Sequence, residues 1–124
     1  MFLIVQLSPM RREELPQSAT EILNRVNEIS FNSSLLREMR AIRFVTRLID
    51  DGTVVNGSLR RTRIHSVAAD DVISKLSVAS KLDTDWEFLV GLRDAGRERA
   101  EQWLDAHFDR LGVESTVDLE AVYM

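Results

Sequence analysis

Serine, aspartate and glycine could together build a hydrolase site, because an activated serine hydroxyl can attack an ester carbonyl. In α/β-hydrolases that serine stands on a strained turn within a G-x-S-x-G motif. The five glycines of this chain never bracket a serine at that spacing, and the sequence has no G-x-G-x-x-G motif or phosphate-binding loop. Asp50-Asp51-Gly52 follows an amphipathic segment, so Gly52 is more typical of a helix stop than of a catalytic pair, and we expect one aspartate to pair with an arginine.

Metal and thiol chemistry has few residues to draw on. The chain has no cysteine and two histidines, His65 and His107, which rules out disulfides, thiolate ligands and a multi-histidine metal centre. Neither histidine has a serine or carboxylate at a local spacing that suggests a catalytic pair, so we interpret both as structural. The sequence therefore predicts no catalytic residue, no metal and no cofactor.

The charge balance argues against a nucleic-acid partner. There are 16 basic and 20 acidic residues, a net charge of -4, and thus no global basic field. Four arginines nevertheless fall within an arc of about 120° on a predicted helix: Arg37, Arg40, Arg43 and Arg47. This stripe either binds anionic lipid headgroups or an acidic partner, or is a solvated face balanced by acids such as Glu38. The same two alternatives apply to a second cluster, formed by Arg60, Arg61 and Arg63.

Two strands and several helices must position these groups. In the run 2–7 apolar residues do not alternate with polar ones, which predicts a strand buried on both faces, as in a parallel sheet. Residues 61–67 predict a second, half-exposed strand. The expected fold class is mainly α with a small β element (α+β): a single domain, 1–124, with two or three long helices and strands near 2–7 and 61–67.

Capping patterns locate the long helices. Ser18 and Glu21 have capping-box spacing, and apolar stripes continue to Gly52, with a bend or break expected at 31–34. A second capping box, Thr84-Asp-Trp-Glu87, predicts a helix that Gly112 closes, in which Gly96 and Ala100 indicate a close helix crossing.

Shorter elements and the aromatic residues complete this prediction. We expect a short helix over 70–76, a polar connector over 77–83, a tight turn at Asn56-Gly57 and a solvated acidic tail over 113–124. The aromatic side chains of the last long helix are expected to be core or interface anchors: Trp86, Phe88, Trp103 and Phe108.

Two stretches carry a family resemblance. The first runs from Glu21 to Asp50 and includes Asn27-Glu-Ile-Ser-Phe-Asn32; the second comprises Arg63-Ile-His65, Ser80-Lys-Leu-Asp-Thr-Asp-Trp86, Leu92-Arg-Asp94 and Ser115-Thr-Val-Asp-Leu119. Over roughly residues 20–119 they resemble the C-terminal extension, a domain of unknown function, of bacterial patatin-like phospholipases.

That family consists of lipid acyl hydrolases with a Ser-Asp dyad, and none of its catalytic motifs matches here: Asp51-Gly52-Thr53 departs from D-G-G or D-G-A. The resemblance implies that residues 1–8 are the last strand of a catalytic sheet, that 18–112 form a helical region, and that the dyad lies before Met1. The chain would then be a non-catalytic accessory domain or fragment.

The alternative is a stand-alone helical interaction module. Because an unpaired apolar strand edge favours self-association, we expect a homo-oligomer. A patatin-like catalytic domain or an anionic membrane surface are the other expected partners. We expect a cytoplasmic location, peripheral to a membrane at most, since no apolar run approaches the ~20 residues of a membrane span.

Overall fold

The computed structural model describes residues 1–54, 57–76 and 78–124, without the side chains of Val78 and Lys81. Asn56 of the predicted turn and Ser77 of the predicted connector lie outside the described residues. The described elements are strands β1 (Phe2–Val5) and β2 (Ile64–Val67), helices α1 (Ala19–Asp50), α2 (Asp70–Ile73), α3 (Trp86–His107) and α4 (Leu119–Tyr123), and 3-10 segments at Val78–Leu82 and Phe108–Arg110. The predicted fold class is confirmed: long helices dominate, with a small β element.

The two strands form a parallel pair with helices on both of its faces. Phe2 lies opposite Ile64 and Val5 opposite Val67, and α1 supplies the crossover connection that parallel strands require. Ile64 packs with Met39 of α1 on one face. His65, the next residue of β2, contacts Trp103 of α3 on the other. The chain is thus arranged as helix, sheet and helix layers.

The buried core lies between α1, the sheet and the C-terminal residues. Its buried hydrophobic cluster in the described part consists of Met39, Ile64 and Tyr123. The expectation that 113–124 is a solvated tail is wrong, because α4 packs against α1 and leaves Tyr123 only 2% exposed. Asp118 caps this short helix by accepting hydrogen bonds from the backbone of Glu120 and Ala121.

Helix α1 is continuous over 32 residues, about 48 Å at 1.5 Å per residue, so the bend or break predicted at 31–34 does not interrupt the helix. The polar residues there do not compete with the helix backbone. Asn32 is buried and its amide donates to the Pro9 carbonyl at 3.0 Å, while Ser33 Oγ donates to the Ser30 carbonyl within the helix. A long helix is possible in so small a chain because much of it remains exposed to solvent.

The ends of α1 agree with the sequence analysis. Ser18 Oγ accepts from the Glu21 backbone at 3.2 Å and Glu21 accepts from the Ser18 backbone at 3.1 Å, which confirms the capping box. Gly52 follows the helix with φ of 67°, a left-handed conformation that glycine adopts without steric cost.

Two expectations about α3 are wrong. Asp85, not Thr84, is the N-cap: its carboxylate accepts from the Phe88 backbone at 2.9 Å, and since the third helical residue is then Phe88, the predicted capping box does not form. The close crossing at Gly96 and Ala100 is absent, since a Cβ atom at Gly96 would meet no atom within 4 Å. The small residue instead faces an open cleft. α2 is also shorter than predicted and ends at Ile73.

Replacement of Tyr123 tests the packing of α4. Tyr123→Ala removes a buried ring and is expected to lower the free energy of unfolding by about 3 kcal/mol. Tyr123→Phe should cost nothing or stabilise the protein, because the buried hydroxyl has no hydrogen-bond partner among the described residues. Urea denaturation measures both. A small effect of the alanine variant would show that the C-terminal helix does not belong to the core.

Candidate functional site

The outer edge of β1 is unpaired. The backbone N–H groups of Phe2 and Gln6 donate to the carbonyls of Arg63 and Val67, each at 2.9 Å. Alternate residues of a parallel strand bond the same neighbouring strand, so the backbone groups of Leu3 and Val5 point away from β2. No further strand lies there in the described residues. We call the outward backbone of Leu3 and Val5 the free edge.

The outer edge of β2, in contrast, is covered by the chain itself. The Ile64 backbone donates to Ser115 Oγ at 3.1 Å and accepts from the Thr116 backbone at 3.1 Å. These two bonds satisfy the outward-pointing peptide groups at the start of β2. The β2 edge of the sheet is therefore covered at its start, whereas the β1 edge is open.

The side chains of β1 are also far more exposed than the sequence predicts. Phe2, Leu3 and Val5 are 61%, 48% and 66% exposed, and Leu7 beyond the strand is 67% exposed. The prediction of a strand buried on both faces is wrong for this chain, because a sheet of two strands is too narrow to hide either of them. A bare apolar edge of this kind readily pairs with another strand.

Exposed apolar surface is not confined to β1. The chain exposes 9111 Å², whereas a compact monomer of this mass exposes about 6,800 Å². Three apolar side chains of α1, those of Ile22, Val26 and Ile29, are each more than half exposed, and Trp86 and Phe108 are 73% and 66% exposed. Surface of this extent is typical of a protein that contacts a partner.

An apolar cleft opens at the carboxyl ends of β1 and β2, where parallel α/β sheets usually bind ligands. Its volume is about 350 Å³. Most of its wall consists of aliphatic side chains or glycine from the strand ends, α2 and α3: Val5, Leu7, Val67, Val72, Ile73, Leu92, Ala95 and Gly96. We call it the strand-end cleft. Glu28 and Arg99 also line it.

A carboxylate clamp closes one side of this cleft. Arg12 Nε donates to both carboxylate oxygens of Glu28, at 2.8 and 3.1 Å, and Arg12 Nη1 donates to the Ser74 carbonyl at 2.8 Å. Arg25 pairs with the same carboxylate at 3.2 Å. The clamp thus ties the loop after β1 to α1 and to the end of α2. The hydrogen bonds from Arg12 lower the pKa of Glu28, and Glu28 in turn raises the pKa of Arg12.

Acidic residues at the start of α2 form two further contacts. The Gln6 amide donates to Asp70 at 3.3 Å, and burial raises the pKa of Asp70 above its ordinary value. Arg99 Nη2 donates to both carboxylate oxygens of Asp71, at 2.7 and 2.8 Å. The second contact links α3 across the cleft to α2.

The histidines occupy a packed aromatic cluster. His65 is fully buried, and its Nδ1 lies 3.1 Å from Thr116 Oγ1. Its ring meets Trp103 edge to face at 6.0 Å, and Trp103 lies 5.1 Å from His107. Burial lowers the pKa of His65. These contacts support a structural role for His65 as a packing group between β2 and α3.

The structure divides the arginine stripe. Arg43 pairs with Glu120 and so helps to hold α4 on α1. Arg37, Arg40 and Arg47 are exposed and form no ion pair in the described residues. Their role in binding lipid or an acidic partner stays a prediction.

The second arginine cluster is divided in the same way. Arg61 pairs with Asp50, as expected for one of the two aspartates, and Arg63 donates to the Val113 carbonyl at 2.8 Å. Both arginines therefore hold together parts of this chain.

Two further features are absent from the described residues. No group of three or more histidine, cysteine or acidic side chains is arranged to hold a metal ion there. Among the helices of those same residues, none has the length and apolarity needed to cross a membrane.

Titration of Glu28 tests the clamp. Because the folded protein lowers the pKa of this carboxyl below 4.5, its stabilisation is complete above that value and is lost as the pH falls through the folded pKa. Glu28→Gln is expected to cost about 2 kcal/mol of unfolding free energy at pH 7, with a difference from the unaltered protein that shrinks toward pH 3.

The matched control for this titration is Glu13→Gln in the same loop. It should change the free energy of unfolding little at either pH, because Glu13 is exposed and forms no ion pair in the described residues. Urea denaturation at both pH values measures the two variants. A constant difference for Glu28→Gln across this range would contradict the clamp.

Comparison with models of known protein families, with curated proteins and with solved structures finds no match for this chain. The geometry of the free edge and of the strand-end cleft therefore carries the functional argument.

Proposed function

We propose that this chain is a non-catalytic accessory domain of a patatin-like lipid acyl hydrolase, and that β1 joins a parallel sheet whose other strands belong to the catalytic part. The single observation that carries this proposal is the free, apolar edge of β1 within a β-α-β arrangement that has helices on both faces. The resemblance of residues 20–119 to the C-terminal extension of that family supplies the identity of the partner.

The exposure of β1 supports this assignment. Strands of parallel sheets are normally covered on both faces and read as continuous apolar runs, and residues 2–5 are Phe-Leu-Ile-Val. In this chain the apolar run is present, but it is not covered on both faces, because three of these four side chains are exposed. A neighbouring strand with its own helices would bury them.

The chemistry proposed for this chain is structural. Its sequence lacks the nucleophile elbow, and the two ion pairs in which an arginine contacts both carboxylate oxygens, Arg12–Glu28 and Arg99–Asp71, hold segments of the chain together. The accessory domain would extend the sheet and shape the entrance to the active site, while catalysis remains with the other part. The proposal includes a cytoplasmic location.

The test begins with the DNA in frame before Met1. We expect it to encode G-x-S-x-G and D-G-G or D-G-A, and the part so encoded to co-purify with this chain when the two are co-expressed. Val5→Pro should abolish co-purification, because it removes an N–H group that points to the free edge without removing a bond to β2.

Val5→Thr is the matched control, since it keeps both the backbone donor and the branched shape of the side chain, and it should co-purify as the unaltered chain does. Stop codons in that frame, or co-purification that Val5→Pro leaves intact, would contradict the proposal.

The second candidate is a self-associating interaction module, which the excess of exposed surface favours. Two copies would pair their β1 edges about a two-fold axis and so relieve both free edges at once. Sedimentation at micromolar concentration should then give a dimer that Val5→Pro converts to a monomer. A monomer from the unaltered chain would exclude this candidate and leave the first one standing.

A further inference from the structure

We propose that the strand-end cleft binds one unbranched alkyl chain of medium length that ends in a carboxylate, with the alkyl part between the strand ends and α3 and the carboxylate at Arg99. This inference goes beyond the accessory role and does not depend on it, because every residue it uses belongs to this chain.

The interior of the cleft suits an alkyl chain. Aliphatic side chains come from elements on several sides, among them Leu7 after β1, Val72 of α2 and Leu92 of α3. The carboxylate that lines the cleft, that of the half-buried Glu28, is neutralised by Arg12 and Arg25. An alkyl chain entering the cleft therefore loses water without meeting an unpaired charge in the described residues.

The size of the cleft limits the ligand. A volume of about 350 Å³ lies at the small end of the range for sites that hold small molecules. Such a space accommodates a single chain and excludes a diacyl lipid as a whole. A free medium-chain carboxylate matches both the volume and the lining.

Arg99 gives the cleft its polarity. Its Nη2 is bonded to Asp71, and its other donors form no hydrogen bond among the described residues. A guanidinium has five N–H donors in a planar fork that matches a carboxylate. Asp71 occupies one part of that fork and leaves the rest for a ligand. The donors that Asp71 leaves free thus favour a carboxylate, the stronger hydrogen-bond acceptor, over an alcohol or a cationic head group.

Gly96 offers a way to fill the cleft without disturbing the fold. It lines the cleft, and a Cβ atom there would meet nothing within 4 Å. Leucine also has a much higher helix propensity than glycine, so Gly96→Leu should occlude the cleft while supporting α3. Gly91→Leu is the matched control, because Gly91 lies on the same helix, outside the lining, with equally open space around it.

The experiment is a titration of the purified chain with octanoate, decanoate and dodecanoate, each competing with a fluorescent dansyl-labelled fatty acid. Burial of each further methylene group strengthens binding about fourfold, so the affinity should rise about fifteenfold between octanoate and decanoate. Gly96→Leu should weaken decanoate binding at least tenfold, while Gly91→Leu should not change it. Affinity that is independent of chain length, or unaffected by Gly96→Leu, would overturn the proposal.

The head group is tested separately. Arg99→Gln should weaken the binding of decanoate about tenfold and leave decan-1-ol binding unchanged. Arg97→Gln, two residues earlier on α3 and outside the lining of the cleft, should alter the binding of neither ligand. Equal losses for the acid and the alcohol would contradict a carboxylate contact at Arg99. If sedimentation shows instead that Gly96→Leu dissociates an oligomer and no fatty acid competes with the probe, the cleft is an interface between copies and the ligand proposal fails.

Discussion

The parallel pairing of β1 with β2 is the constraint on which the other features depend. Parallel strands cannot be joined by a tight turn, so the chain needs a long crossover, and α1 supplies it. A parallel pair also needs cover on both faces, which explains why α1 and α4 pack on one side and α3 on the other. Two strands give little area to cover, and the helices consequently extend past the sheet and expose apolar residues such as Ile22 and Phe108.

The sequence predicts the features of this fold that local chemistry determines. Ser18 and Glu21 cap α1 because their spacing alone places both bonds, and Gly52 ends that helix because its conformation is accessible to glycine. Features set by distant contacts were harder to predict. Asn32 is compatible with an unbroken helix because Pro9 accepts from its side chain. Tyr123 is buried because α4 returns to α1, which no nearby residue indicates.

The candidate site depends even more on distant contacts. Arg12, Glu28 and Ser74 come from three separate segments, and a charged loop such as Arg11-Arg12-Glu13-Glu14 does not reveal which of its residues has a buried partner. The arginine stripe shows that a pattern along one helix does not reveal which of its members have a distant partner. Helical periodicity predicts that its members share one face, but only the return of α4 shows that Arg43 binds Glu120 and thereby differs from Arg37. The strand-end cleft likewise exists only once α2 and α3 stand on either side of the strand ends.

The free edge and the cleft use different parts of the same strand, and this makes the two proposals compatible. Val5 directs its backbone toward the free edge, while its side chain lines the cleft. A strand added at the free edge would therefore leave the cleft open and extend its wall by the side chains at that strand's own carboxyl end. In an α/β-hydrolase the nucleophile also stands at the carboxyl end of the sheet. An accessory domain joined through β1 would consequently place its apolar cleft at the same end of the strands as the reacting ester.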